Sequence, residues 1–254
     1  MNFFAFGNHT VRNLINSPYF TFKKVLLRTE HHQDRELLQL LKKNQIPYQL
    51  LGKEQFSRYN FDKKNQGIVA FIRSYNYAKL PSLLSCQPQR KFPLLVMLDS
   101  IEDPHNFGAI LRTCAALAID GIIISKKNQV PVNSTVVKVS TGGIAHIPVC
   151  QVNNLGEVIE KLKVKKYQVV ATVCDLGAKE YNQFDFDFPT CLIFGNEHKG
   201  IRPILIKKSN DKIYVPMSND IGSLNVSVSC GIILAHAVSQ LVGKGKQKNY
   251  QYRH

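Results

Sequence analysis

The sequence predicts an α/β protein: a C-terminal parallel sheet covered by helices on both faces, preceded by a small α/β layer. Three observations carry this. From Leu94 onward, short apolar runs (LLVML, GIII, QVVATV, CLIF, IYV) lack the alternation of half-exposed strands, as strands buried on both faces do. Helical stretches lie between those runs, and strand–helix alternation argues for a parallel sheet. Charge also divides the chain. Of a net charge of +15, residues 1–91 carry +10 (15 basic, 5 acidic), residues 92–242 only +1, and the last twelve residues +4.

In chain order, Lys24–Arg28 and Tyr48–Leu51 read as short strands. Asp34–Lys43 reads as a helix, with apolar residues at 37, 38, 40 and 41, Asp34 as cap and a basic last turn. Gly67–Ile72 is a further strand. Residues 76–93, with Pro81, Pro88 and Pro93 among polar residues, read as a linker. The expected division is 1–75, linker 76–93, main domain 94–242 and a basic mobile tail 243–254. In the main domain, helices are expected over Asn106–Ala118, Asn154–Lys163, Gly200–Lys208 and Ser223–Leu241.

Composition narrows the classes. With 254 residues, 44% hydrophobic and 20% charged, the chain is neither low-complexity nor collagen-like, and it is long enough to bury a core. It has no run of 18 apolar residues, so no membrane span is expected. The start, MNFFAFGNHT, lacks the basic and long apolar regions of a secretory leader. The six cysteines (Cys86, Cys114, Cys150, Cys174, Cys191, Cys230) include no CxxC and read as buried free thiols of a cytoplasmic protein. No His/Cys cluster has metal-ligand spacing, and His31, His32 and His198 are expected on surfaces, so no metal is expected. GxGxxG is absent, and the Gly195–Gly200 loop is followed by Ile201-Arg202 rather than Lys-Ser/Thr, which argues against dinucleotide and P-loop sites. The basic front and tail point to a polyanion, nucleic acid first. Tyr59, Phe61, Tyr75 and Tyr77 interleave with basic residues, and stacking on unpaired bases stands beside an ordinary role in packing.

Three constellations carry candidate chemistry. In the first, a strand runs through Leu98-Asp99 into Asn106-Phe107-Gly108-Ala109-Ile110-Leu111-Arg112. Asn106 suits a helix start, Gly108 allows close backbone approach, and Arg112 is a charge in an apolar helix that needs a partner or a task. In the second, the strand Cys191–Phe194 ends in Gly195-Asn196-Glu197-His198-Lys199-Gly200, where ligands of open parallel sheets bind. In the third, Val215-Pro216-Met217 precedes Ser223-Leu224-Asn225-Val226-Ser227-Val228, with Ser223 as the expected cap. Each also has a bland reading: a cap, a turn, a core helix.

Together these resemble the motifs of the SpoU (TrmH-like) branch of the SPOUT methyltransferases, RNA ribose 2′-O-methyltransferases. Its N-x-G-x-x-x-R motif is met by Asn106, Gly108 and Arg112, and its G-x-E-x-x-G motif by Gly195, Glu197 and Gly200. Its P-M and S-L-N-V-S-V motifs are met by Pro216, Met217 and Ser223 to Val228. The front resembles the branch's substrate-binding module through Gly7-Asn8-His9 and Gln66-Gly67-Ile68. Departures are Asn65 where histidine is common, and Asn219 and Ala118 where glycine is.

The resemblance implies a deep trefoil knot in the C-terminal domain, a small α/β RNA substrate-binding domain before it, and a homodimer. It implies S-adenosylmethionine as cofactor, with Gly195, Val215 and Leu224 as contacts and Asn196, Pro216, Met217 and the Thr141-Gly142 loop beside them. Catalytic roles fall to Asn106, Arg112, Glu197, Ser223 and Asn225. The implied reaction methylates a ribose 2′-hydroxyl, closest to that of enzymes acting on guanosine of 23S ribosomal RNA. Alternatives within the branch are transfer RNA and a ribosomal adenosine; outside it stands a non-catalytic RNA-binding or ribosome-assembly protein. Arg112 is either a base or a phosphate clamp. A guanidinium holds its proton, which favours the clamp, with electrostatic lowering of the hydroxyl's pKa. The other four residues would hold the arginine and the ribose in place.

Overall fold

The computed structural model describes residues 3–59, 65–85, 91–175, 177–218 and 222–243. Most of the expected tail, together with Cys86, Phe61 and Asn219, lies outside the described residues.

The front forms a four-stranded sheet in the order β1-β4-β2-β3. β1 is Phe3–Phe6, β2 Phe20–Arg28, β3 Tyr48–Leu51 and β4 Ile68–Tyr75. β4 runs antiparallel to β1 and β2, while β2 and β3 are parallel. Helices α1 (Asn8–Ile15) and α2 (Arg35–Lys43) lay Val11, Ile15, Leu37 and Leu41 against Val25, Leu27, Ile68 and Ala70 on one face. Asp34 caps α2 as expected, accepting from Leu37 N at 3.0 Å, and both its carboxylate oxygens accept from Arg12 Nη2 of α1, at 2.7 and 2.6 Å. Burial works against its ionisation, but the Arg12 and Leu37 bonds and the Arg12 charge hold its carboxyl below the ordinary range. A short α3 (Lys53–Ser57) seats Phe56 against the other face.

The segment expected as a linker is structured. Ala78 bridges to Cys150, and α4 (Leu80–Ser85) buries Leu83 against the second sheet. Proline at the second position of this helix has no N–H that the helix needs, so Pro81 does not break the segment.

The second sheet has seven strands in the order β7-β6-β5-β10-β8-β11-β9, every pairing parallel. They are β5 Leu94–Asp99, β6 Gly121–Ser125, β7 Val149–Val152, β8 Gln168–Thr172, β9 Lys179–Glu180, β10 Thr190–Gly195 and β11 Asp211–Tyr214. Alternate residues of β5 feed two cores, as burial on both faces requires. Leu94, Val96 and Leu98 pack with α5 (Pro104–Ala116), α6 (Ser134–Val139) and α9 (Val226–Gly243). Leu95 and Met97 pack with α7 (Leu155–Val164) and α8 (Pro203–Lys208). Helix α8 starts later than the apolar pattern suggests because Gly200 has φ +65° and Pro203 opens the helix.

The two sheets touch. Phe4 N donates to Ser134 Oγ at 2.9 Å, and Tyr75 packs edge-on against Phe20 and Tyr77. Tyr77 Oη accepts from Val132 N at 3.0 Å. Burial raises the pKa of both phenols. Tyr75 and Tyr77 are therefore rivets between the layers and not free stacking surfaces. Tyr59 is exposed.

Cys114, Cys150, Cys191 and Cys230 are buried free thiols, as expected, whereas Cys174 is exposed. Burial pushes the Cys150 thiol up to about 11. No described helix is long and apolar enough to cross a membrane.

Candidate active site

Strands β5 and β10 lie side by side with Gly195 level with Asp99 at their carboxyl ends. The chain leaves them toward opposite halves of the sheet, which opens a crevice. Asp99 is wholly buried. It accepts from Arg202 N and Arg202 Nε, both at 2.9 Å. A buried carboxylate stripped of such partners costs several kcal/mol, so this pair pins the start of α8 to the end of β5.

Between Gly195 and Arg202 the chain closes a tight loop. Asn196 N donates to Gly200 O at 3.1 Å and Gly200 N to Asn196 O at 2.8 Å. The Asn196 carboxamide ties the loop down. Its Nδ2 donates to Ser100 O at 2.9 Å, and its Oδ1 accepts from His198 N and Lys199 N at 2.9 and 3.1 Å. A Cβ at Gly195 would stand 2.3 Å from Gly200 C, so only glycine lets the loop close.

The loop presents Glu197 to α9. Glu197 Oε1 accepts from Asn225 Nδ2 and, at 3.4 Å, from Val226 N. Asn225 Nδ2 also donates to Asn106 Oδ1 at 3.0 Å. Asn225 is itself the cap of α9: its Oδ1 accepts from Ser227 N at 2.9 Å and Ser227 Oγ at 2.6 Å. This corrects two sequence expectations. Ser223 is not a cap but an exposed residue upstream of the helix, and Asn106 is not the cap of α5. That cap is Asp103, whose Oδ1 accepts from His105 N at 2.9 Å, with Pro104 opening the helix. Asn106, third in α5 and buried, is freed to meet Asn225.

Beside this chain of side chains lies a cavity of about 520 Å³, within the range of small-molecule sites. Gly195, Asn196, Glu197, Ser223 and Leu224 contribute to its wall, with Phe194, Ile201 and Ile206 as apolar surface. Val215 and Met217 line a small adjoining pocket that shares Leu224, and Pro216 is exposed between them. Asp175 closes one side. Its carboxyl is held below the usual range by the Gly177 N–H and by Lys212 Nζ, 2.9 Å away.

Two expected members stand elsewhere. The Thr141-Gly142 loop is not in the cavity wall: a Cβ at Gly142 would lie 3.2 Å from Asn13 Nδ2 and 3.6 Å from Thr10 Cα of α1. Its left-handed backbone, φ +52° and +84°, turns it toward the first sheet. The Arg112 side chain is exposed, and among the described residues it makes no hydrogen bond or ion pair. At 100° per residue it sits roughly 120° around α5 from Asn106, so Asn106, Glu197 and Asn225 bond to one another and do not hold the arginine. Sequence reasoning did not single out Asp99 and Arg202. The signal was present, an acid closing the continuous apolar run LLVMLD, which needs a partner once buried. Among the described residues no group of three or more His, Cys, Asp or Glu is placed to hold a metal. His32 and His198 are exposed, while half-buried His31 bonds Gln66 O at 2.9 Å.

Against this geometry, a profile of the SpoU rRNA Methylase family matches residues 93–235, and one for RNA 2′-O ribose methyltransferase substrate binding matches residues 4–78. An uncharacterized tRNA/rRNA methyltransferase of Mycoplasma pneumoniae is 38% identical over 91% of this chain and 95% of its own. A putative TrmH family tRNA/rRNA methyltransferase of Staphylococcus saprophyticus is 36% identical over 90% and 92%. Among solved structures, an AdoMet-bound rRNA methyltransferase from Sinorhizobium meliloti superposes with TM-score 0.78 at 24% identity, covering 94% of this chain and 88% of that one. The SpoU methyltransferase AviRb of Streptomyces viridochromogenes, in complex with AdoMet, gives 0.78 at 22%, covering 96% and 92%. These two likenesses speak to the fold.

Proposed function

The chain belongs to the SpoU rRNA methylase family of RNA methyltransferases, and on that premise we propose that it uses S-adenosylmethionine to methylate a ribose 2′-hydroxyl in RNA, a guanosine of 23S ribosomal RNA being the favoured target. The observation that carries the proposal is the bonded set Asn106–Asn225–Glu197 at the mouth of the strand-end cavity. One residue from each of three separate motifs meets there, which a helix that only packs in a core does not require.

The residues fit the cofactor. The cavity is large enough, Phe194, Leu224 and Ile201 offer apolar wall to a base, and the 195–200 loop forms part of its wall. Gly195, Asn196 and Leu224 would hold it, with Val215, Pro216 and Met217 behind them. The bound group supplies a methyl already activated on a sulfonium, so the chain has only to aim a hydroxyl and ease loss of its proton.

Arg112 is given the phosphate beside the target ribose. A guanidinium grips phosphate bidentately and its charge stabilises a developing alkoxide, whereas it makes a poor base. Asn106, Asn225 and Glu197 fix the mouth of the cavity, and Ser223 of its wall would hydrogen-bond the ribose. The Arg112 side chain is exposed on α5 and Val228 of α9 is half exposed, which supports a homodimer joined through α5 and α9. The knot belongs to the same reading: the chain after β11 returns beside the 195–201 loop, where Asn225 and Val226 bond Glu197. In this reading residues 1–75 are the RNA-binding domain, residues 94–242 the catalytic domain, and the protein is cytoplasmic.

The test is transfer of labelled methyl from S-adenosylmethionine to RNA from a strain lacking the gene, followed by mapping of the modified nucleotide. Ribose methylation of 23S guanosine is expected. Base methylation, or none, rejects the reaction, and a modified transfer RNA or adenosine redirects the target. Arg112→Ala is expected to abolish transfer with cofactor binding by calorimetry unchanged.

A further inference from the structure

Two consecutive glycines admit two different helices. A Cβ at Gly143 would lie 3.2 Å from Arg112 Cα of α5, while a Cβ at Gly142 would lie 3.2 Å from Asn13 Nδ2 of α1. The turn that backs the arginine is thus the turn on which the first sheet's helix rests. Consecutive Cα atoms are about 3.8 Å apart, which puts the Asn13 amide and the Arg112 backbone on the order of 10 Å from each other.

Helix α1 buries Val11, Leu14 and Ile15 and turns His9 and Asn13 the other way. One helical turn apart, these two meet with Asn13 Nδ2 3.3 Å from His9 Nδ1. Thr141 is exposed next to them, and Arg112 is exposed beyond the turn. The result is a ridge of imidazole, carboxamide, hydroxyl and guanidinium, none of them acidic, crossing from one sheet to the other. Arg12, on the same helix, is occupied by Asp34 and takes no part.

We propose that His9 and Asn13 form a contact for the sugar–phosphate edge of the RNA strand flanking the nucleotide that Arg112 engages. It rests on the RNA-methyltransferase reading above. Single-stranded RNA offers phosphate oxygens as acceptors and 2′-hydroxyls as both donors and acceptors, and the ridge matches them with polar side chains, ending in a guanidinium. A span on the order of 10 Å lies within reach of a short stretch of RNA strand beside the nucleotide that Arg112 engages. The glycine pair sets the spacing between the RNA contact and the arginine, so the ridge selects which nucleotide is presented.

The experiment compares wild type, His9→Ala, Asn13→Ala, the double variant and Asn13→Asp, with unmethylated large-subunit ribosomal RNA as probe. RNA affinity, KM for RNA, kcat, cofactor affinity and thermal midpoint are measured. Each alanine variant is expected to raise the RNA Kd and KM about 3- to 10-fold, the worth of one hydrogen bond. Asn13→Asp is expected to raise them more, through repulsion of phosphate. Expected to stay constant are kcat, cofactor affinity and midpoint. His9→Lys, which restores a donor, is expected to recover most of the loss. A double variant that binds and methylates RNA like wild type overturns the proposal and leaves the seam as packing between sheets, as does a loss of RNA affinity matched by a loss of midpoint in both alanine variants. Failure of the wild type to methylate any RNA overturns the parent reading and the ridge together, and is seen before any variant is made.

Discussion

The two sheets of this chain bury their strands by different means. The four-stranded sheet is mixed, covered by α1 and α2 on one face, and its helices are pinned by a surface-proximal ion pair, Arg12 with Asp34. The seven-stranded sheet is wholly parallel, sandwiched between two apolar cores, and concentrates its polar bonds at the strand ends, where Asp99 and Arg202, Asn196 and Ser100, and Glu197 and Asn225 meet. A surface ion pair contributes little, while a buried one is costly to break. Charge follows the same division: most of the +15 lies in the first 91 residues, and the cavity region is near neutral. The front is suited to long-range attraction of a polyanion, the back to fixed local geometry.

Substitutions in one sheet should leave the other's task intact, and the largest effect should come from the strand-end loop. Gly195→Ala places a methyl 2.3 Å from Gly200 C and forces the loop open. Overpacking of this kind costs about 1–3 kcal/mol, so cofactor affinity measured by calorimetry should fall about 10- to 100-fold with RNA binding unchanged. Parallel loss of RNA binding would break the division. Next comes salt: between 50 and 200 mM, RNA affinity should drop at least about tenfold while cofactor affinity holds. A flat RNA response would remove the electrostatic role of the front.

Asp34→Ala removes a cap and the partner of Arg12, and should cost about 1–2 kcal/mol in the first sheet, seen by hydrogen exchange in α2 before the second sheet responds. The native carboxyl of Asp34 lies below its ordinary value, so its stabilisation is complete above the unfolded pKa of about 3.9 and is lost as pH falls through the lower native one. Acid should therefore loosen α2 in wild type and much less in the variant.

The smallest effect is a gain. Ala118 follows α5 with φ +50°, and Ile119 N donates to Cys114 O at 2.9 Å, the Schellman pattern that favours glycine. Ala118→Gly should raise stability by about 0.5–1 kcal/mol without altering activity, read from the thermal midpoint.

Much of the second sheet was legible because a strand buried on both faces must be apolar throughout, which marked β5, β6, β8 and β10, while the run at 213–215 marked only the end of β11. The two-residue β9 and the half-buried β7 carry no such run and went unseen. In the first sheet, β1 and α1 were missed because FFAF and NHTVRNLI are too short for their periodicity to stand out. Of the candidate site, Asn106, Glu197 and Asn225 were found through motif spacing, but their bonding to each other was not.

By itself the sequence determined which segments bury both faces, where charge lies, and which residue types crowd the strand ends, since these follow from local composition and spacing. Tertiary structure alone decided that Asn225 caps α9 and links Asn106 to Glu197, that Arg112 is not held by them, and that the Thr141-Gly142 turn leaves the cavity for α1. Each of those depends on distances between segments far apart in the chain, set by strand order and by close approach at glycines, which no local pattern records.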